Sequence, residues 1–462
     1  MSLLSLNESL KISTKDFGKY YSNFINPGLF KIYQRLGLSD IDISYASGVE
    51  IYLKDGRSIL DFSSAGGITG LGHNHPRIIA AEQLCHEKKI IDAIKVAPHS
   101  LQAALAYNLN QLLPDPLQIS FFAVSGAEAV EGAMKLCEKV QGTHKKKFIT
   151  TSGAYHGKSH GAISLTTHGG HRDSFITGIP HENIIEIPYG NTDALEQVLS
   201  KYNDLVVAMI LEPIQGQCMV VPPTGYLKRV VEICHKYGAL VIFDEIKTGI
   251  GRSGQFCAFQ YENIVPDVVT LSKALGGGKR AISAFVTSDK LFKKAYGRRE
   301  DCNIHSTTFG GLGESCAVAI ETLNVLVEEN LINDAAQKGK YLISKLEELK
   351  ERHPKSIKEI KGRGLLLGIK FNYEEQLLKR LLPKGKFGIT DTVESLFIAS
   401  VLSELYREYD ILSFFASKDT LQIMPPLVVS YRQMDQFIEA INGILETGFS
   451  KLSWKMLKSN LI

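Results

Sequence analysis

The chain has 462 residues, of which 44% are apolar and 22% charged, and carries a formal net charge of +3. That length accommodates a large domain and a smaller one with an ample core. So small a net charge argues against a nucleic-acid or membrane-surface partner. Seven scattered cysteines, never spaced as CxxC, point away from a disulfide framework or a zinc site and towards a reducing compartment.

The N-terminal stretch MSLLSLNESLKIS lacks a long apolar core, and no arginine precedes Arg35, which makes it a poor signal or transit peptide. No apolar run reaches the roughly 18 residues of a membrane span, so a cytoplasmic protein is expected. Residues 1–75 read as an arm and part of a small domain, 76–330 as a large domain, and 331–462 as the C-terminal small domain. The basic clusters at His144, Lys145, Lys146 and Lys147 and at Arg298 and Arg299 read as solvated loop ends.

In VSGAEAVEG, Ser125 and Gly126 open a helix whose apolar stripe is Val130, Ala133, Met134 and Cys137. Its first N–H groups and its dipole form a ready anion site, with plain helix capping as the alternative. SGAYHGKSHG follows and offers Tyr155, a flat ring that can stack on a planar cofactor or fill core. LVVAMILEP and ALVIFDEI are continuous β-rich runs, the pattern of strands buried on both faces of a largely parallel α/β sheet.

ALVIFDEI ends on Asp244, and ligands of open α/β sheets bind at the carboxyl ends of strands. A carboxylate there can keep a pyridine nitrogen protonated, or simply cap a helix. VVTLSKALGGGK then delivers Lys273 into a glycine-rich turn. A buried lysine loses charge and becomes the amine nucleophile that Schiff-base chemistry needs; otherwise it is a surface lysine. A phosphate-cradling P-loop fails, because Lys273 stands where the Walker pattern needs glycine. INDAAQKGKYLISKLEELKERHP reads as a helix stopping before Pro354, and GLLLGIKF as a strand.

Together with LEPIQG, DEIKTGIGRSG and HSTTFGG, these blocks, in order over about residues 25–445, resemble the class III aminotransferases. These are enzymes of the fold type I pyridoxal-phosphate transferases. INPG, TSGAYHGKSHGAIS and KGRGLLLGIKF are most similar to the putrescine and other ω-amine members. The resemblance implies a large, mainly parallel-sheet domain plus a smaller α+β domain from both chain ends. It makes Lys273 the Schiff-base lysine and Asp244 the partner of the ring nitrogen. Ser125, Gly126 and Ala127 match the phosphate cradle, Tyr155 the stacked aromatic, and Thr308 a hydroxyl reaching the phosphate from the neighbouring subunit of a homodimer.

Three positions depart from the family pattern. Gln217 stands where a glutamate commonly holds a gating arginine, and Gln422, before PPL, where an arginine grips a substrate carboxylate. Glutamine cannot supply that charge, so the usual grip on an α-carboxylate is not expected. Lys247 replaces a glutamine beside the cofactor's phenolic oxygen, where a cation favours the phenolate; alternatively it swings out to solvent. The stretch between GIKF and PPL, including TVESLFIASVLSELYREYDILSFF, is longer than usual and either lines a channel or thickens the small domain. The expected activity moves an amino group between an amine (ω-amine, diamine or similar) and an aldehyde, ketone or keto acid. The alternatives are a biosynthetic transaminase or aminomutase for a bulky or carrier-tethered carbonyl, or a cofactor-binding protein without turnover.

Overall fold

The computed structural model describes residues 3–372, 389–417, 419–449 and 451–452. Near the N-terminus, β1 (Ile43–Ser47), β2 (Glu50–Leu53) and β3 (Ser58–Asp61) pair antiparallel. The middle of the chain supplies β4 (Leu117–Ala123), β5 (Lys147–Thr151), β6 (Ile184–Ile187), β7 (Val206–Leu211), β8 (Leu240–Asp244), β9 (Val268–Leu271) and β10 (Ser283–Ser288). The C-terminal part adds β11 (Ile357–Arg363), β12 (Leu366–Phe371), β13 (Ile411–Leu412), β14 (Phe414–Ser417) and β15 (Thr420–Ile423).

The central sheet runs β4-β10-β9-β8-β7-β5-β6. Its pairs are parallel except at β10, which runs against both β4 and β9. This is the α/β architecture expected from the apolar runs. Every residue of β7 is buried, as a strand covered on both faces requires. Each of its fully buried aliphatic side chains contributes about 1.5–3 kcal/mol by leaving water. Six strands share one direction, so their carboxyl ends line one edge of the sheet, where α/β proteins build their sites.

The Gly126–Gln141 helix leaves β4 through a capping box. The Ser125 hydroxyl accepts from the Glu128 N–H, and the Glu128 carboxylate accepts from the Ser125 N–H. Its stripe of Val130, Ala133, Met134 and Cys137 is buried as the periodicity predicts. The long helix Leu331–Arg352 ends at His353, before Pro354.

The two chain ends pack together. β13 lies parallel to β3, and Phe62 stacks on Phe437 with ring centroids 4.5 Å apart. A separate antiparallel sheet, β11-β12-β15-β14, completes the C-terminal part. Residues 373–388 of the long stretch after GIKF lie outside the described residues. The rest forms the helix Ile389–Tyr409, whose Phe397, Val401 and Leu405 are buried in the main core. That segment thickens the core. Among the described residues, no helix is long and apolar enough to cross a membrane.

Candidate active site

A cavity of about 230 Å³ opens at the carboxyl edge of the central sheet. Each of five strands delivers its wall from the residues that follow it. β4 leads to Gly126 and Ala127, β5 to Tyr155, His156, Gly157 and Lys158, and β7 to Glu212 and Gln217. β8 ends on Asp244 and leads to Ile246 and Lys247, while β9 leads to Ser272 and Lys273. Asp244 pairs in register with Thr270 on the neighbouring strand, which brings the carboxylate and Lys273 to adjacent strand ends.

Three donors converge on Asp244. The Ile246 N–H and the Thr270 hydroxyl reach Oδ1 at 3.1 and 3.2 Å, and the His156 Nδ1 lies 2.8 Å from Oδ2. The far ring nitrogen of His156, Nε2, is buried without a partner. Glu212, also buried, accepts from the Tyr155 N–H at 3.0 Å and the Gly216 N–H at 2.8 Å, so it ties two walls of the cavity together. Burial pushes its carboxyl above the usual range.

Lys273 adopts a left-handed backbone with φ 44°, a conformation that costs a non-glycine residue of order 1–3 kcal/mol and recurs where a side chain must be aimed. Burial lowers the proton affinity of its amine, opposed by the charges of Asp244 and Glu212. Lys247 lines the same cavity; burial first, then repulsion from Lys273, lowers its pKa to about 7. Among the described residues, no group of His, Cys, Asp or Glu has the arrangement of a metal site.

Gly126 and Ala127 form the first turn of their helix, where backbone N–H groups have no partner within the helix. A Cβ on Gly126 would come within 2.8 Å of Ile246 Cδ1, so glycine keeps this end open. The Ser125 hydroxyl is occupied by capping, and its carbonyl accepts from the Ser283 hydroxyl at 2.8 Å. Gln217 is a half-buried part of the wall. Gln422 is fully buried outside the lining, its Nε2 donating to the Gly216 carbonyl at 3.3 Å. Thr308 is exposed and does not reach this chain's own cavity.

Sequence reading therefore brought Gly126, Ala127, Tyr155, Gln217, Asp244, Lys247 and Lys273 to one place. It missed His156 and Glu212. His156 stands next to Tyr155 in a block already singled out, and Glu212 opens EPIQG. The partner of His156, however, lies 88 residues away along the chain, and the Tyr155 N–H that Glu212 accepts from lies 57 residues away.

Residues 34–445 match the family Aminotransferase class-III. The chain is a class III aminotransferase. An ornithine aminotransferase from Toxoplasma gondii superposes with a TM-score of 0.81 at 25% identity, covering 96% of this chain and 99% of that one. An acetylornithine aminotransferase from Elizabethkingia anophelis gives 0.71 at 27% identity, over 88% and 94%. An S-selective transaminase from an Arthrobacter species shares the fold, with a TM-score of 0.82 at 23% identity over 95% and 99%.

Class III aminotransferases use pyridoxal phosphate, and the cavity of this one fits that group. It offers a desolvated amine, a buried carboxylate held by three donors and a phenol ring from Tyr155. A helix N-terminus with free N–H groups faces the same space.

Proposed function

We propose that this aminotransferase moves an amino group between an amine, such as an ω-amine or diamine, and an aldehyde, ketone or keto acid. In this reading Lys273 both carries the cofactor and transfers the proton. The observation that carries it is the placement of Lys273 and Asp244 at neighbouring strand ends in one cavity. The likeness to the ornithine and acetylornithine aminotransferases supports a small aliphatic amine donor.

Pyridoxal phosphate, when bound, supplies an electron sink that acidifies the substrate C–H bond. The protein's groups do the rest. Desolvation lowers the proton affinity of the Lys273 amine, which favours its work as nucleophile and then as general base and acid. Asp244, oriented by His156, Ile246 and Thr270, would accept a hydrogen bond from the ring nitrogen and so keep it protonated. Gly126 and Ala127 would hold the phosphate through their N–H groups, with Ser125 fixing the turn, and Tyr155 would cover the ring. Lys247 would stand beside the cofactor's phenolic oxygen and Gln217 would border the substrate, while Gln422 supports the Gly216 turn from behind. Thr308, exposed on this chain, would reach the phosphate of a partner chain, and the working unit would then be a homodimer with shared sites. The packing of β3 against β13 supports a small domain built from residues 1–75 and 331–462 beside a large one of 76–330.

The test is Lys273→Ala. It should lose the visible absorption of the holoenzyme, leave no borohydride-trapped cofactor at residue 273 by mass spectrometry, and slow amino transfer by about a thousandfold or more. A coloured, active variant sinks the reading. With the wild type, an amine should bleach the cofactor and an aldehyde or keto acid should restore it.

A further inference from the structure

The block KGRGLLLGIKF has no task in the amino-transfer chemistry, yet it frames a second cavity. A space of about 420 Å³ lies between residues 213–227 and 258–262 on one side and the Leu331–Arg352 helix and the end of β11 on the other. It shares no lining residue with the candidate active site. The volume suits a small organic molecule. Its walls are mainly apolar, with Ile214, Val221, Leu227 and Ile343 among them.

Arg363, the last residue of β11, stands half-buried in this cavity. Its guanidinium lies over the Tyr261 ring, 4.3 Å from the centroid, and the Tyr261 hydroxyl donates to the Ser253 carbonyl at 2.9 Å. The backbone beyond Arg363 is pinned as well. The Leu365 N–H donates to the Arg252 carbonyl at 3.0 Å, and Gly364, at φ 60°, packs so closely that a Cβ there would run into the Ser253 backbone.

Stacking occupies the face of a guanidinium and leaves its in-plane N–H donors to a ligand. Among the described residues, no carboxylate comes within ion-pair distance of Arg363 or of Lys340, an exposed lysine at the same cavity. Glu262 also lines the space, but its carboxylate is committed to the start of the Tyr226–Lys236 helix. It accepts from the Gly225 N–H at 3.0 Å and the Lys228 N–H at 2.9 Å. A positioned cation over apolar walls therefore lacks its anion.

We propose that this cavity is a second binding site, for a carboxylate carried on an apolar body, with the Arg363 fork gripping the carboxylate. The apolar walls favour such a molecule over inorganic phosphate, which has no apolar surface to bury. Pro213 and Ile214 in its wall directly follow Glu212, which accepts from the Tyr155 and Gly216 N–H groups, so the two cavities lie on one stretch of chain without sharing a wall residue. Ligand and cofactor are held at the same time.

The experiment titrates the holoenzyme calorimetrically with phenylpropanoate, uncharged phenylpropanamide and inorganic phosphate. The carboxylate should bind about tenfold or more tightly than the amide, and more tightly than phosphate. Arg363→Gln should weaken the carboxylate about tenfold and leave the amide unchanged, while Arg363→Lys retains part of the preference. Equal affinity for acid and amide overturns the proposal, as does phosphate binding as tightly as the acid, or a carboxylate affinity that Arg363→Gln leaves intact. Position is read separately on the wild type, which needs no variant to fold. Irradiated benzoylbenzoate should label peptides from residues 213–227 or 336–343. Label confined to residues 155–158 or 217 would put the carboxylate in the candidate active site and overturn the proposal.

Discussion

His156 and Asp244 are both buried, and Nδ1 of the first lies 2.8 Å from Oδ2 of the second. The histidine sits after β5 and the aspartate at the end of β8, with β7 between them in the sheet. The pair therefore reaches across a strand. It fixes the carboxylate that the proposed function turns towards the cofactor ring.

Replacing His156 by asparagine removes this bond and leaves Asp244 with two of its three donors. Hydrogen bonds to charged groups contribute about 1.5–3 kcal/mol, so pyridoxal phosphate should bind the apoenzyme about tenfold more weakly. Fluorescence titration measures this directly. Equal affinity would show that Asp244 holds its orientation without the histidine.

Gly126→Ala should act on the same affinity by another route. The new methyl presses on Ile246 Cδ1, the movable end of a side chain that already lines the cavity. The helix itself tolerates alanine well. The thermal midpoint of the apoenzyme should stay within a few degrees of wild type, while cofactor affinity falls about tenfold or more. Unimpaired binding would place the phosphate elsewhere than at this helix end.

What the sequence disclosed and what it withheld follow from the range of the interactions. Continuous runs such as LVVAMIL announce buried strands because β7 is covered on both faces, and the carboxyl ends of such strands are where α/β proteins build their sites. Lys273 and Asp244 were legible for that reason. The His156–Asp244 bond and the bond from the Tyr155 N–H to Glu212 were not, since each joins segments brought together only by strand order. Gln422 illustrates the opposite difficulty. Its position before PPL suggested a substrate contact, yet in the fold its side chain reaches the back of Gly216, and that connection runs through a glycine with no side chain to draw the eye.

Glu245 links acidity to stability. It is fully buried beside Asp244; burial, opposed by the Thr248 hydroxyl and the Phe259 N–H, pushes its carboxyl up to about 7. Its folded pKa lies above the unfolded value of 4.5, so the folded state holds the proton more tightly. The resulting stabilisation is complete below about 4.5 and is lost as pH rises towards about 7, a change of about 3 kcal/mol. Glu245→Gln cannot titrate. Between about pH 5 and about pH 8 its Tm should therefore move in its favour relative to the wild type. Parallel curves would mean that Glu245 titrates alike in both states.

Thr308 provides a test of shared sites that needs no structure of the dimer. Lys273→Ala and Thr308→Ala chains are each impaired alone. When co-refolded, a mixed pair contains one site with Lys273 from one chain and Thr308 from the other. Activity should rise above that of either variant, approaching half the wild-type value per mixed pair. Simple averaging of the two parents would place Thr308 outside the partner's site.

The site segments hang from separate strands, whereas the strands themselves form one frame. Selection can therefore revise what the protein accepts one short peptide at a time. A library at residue 217 alone would vary one wall of the cavity while leaving in place the strand frame that carries Lys273 and Asp244.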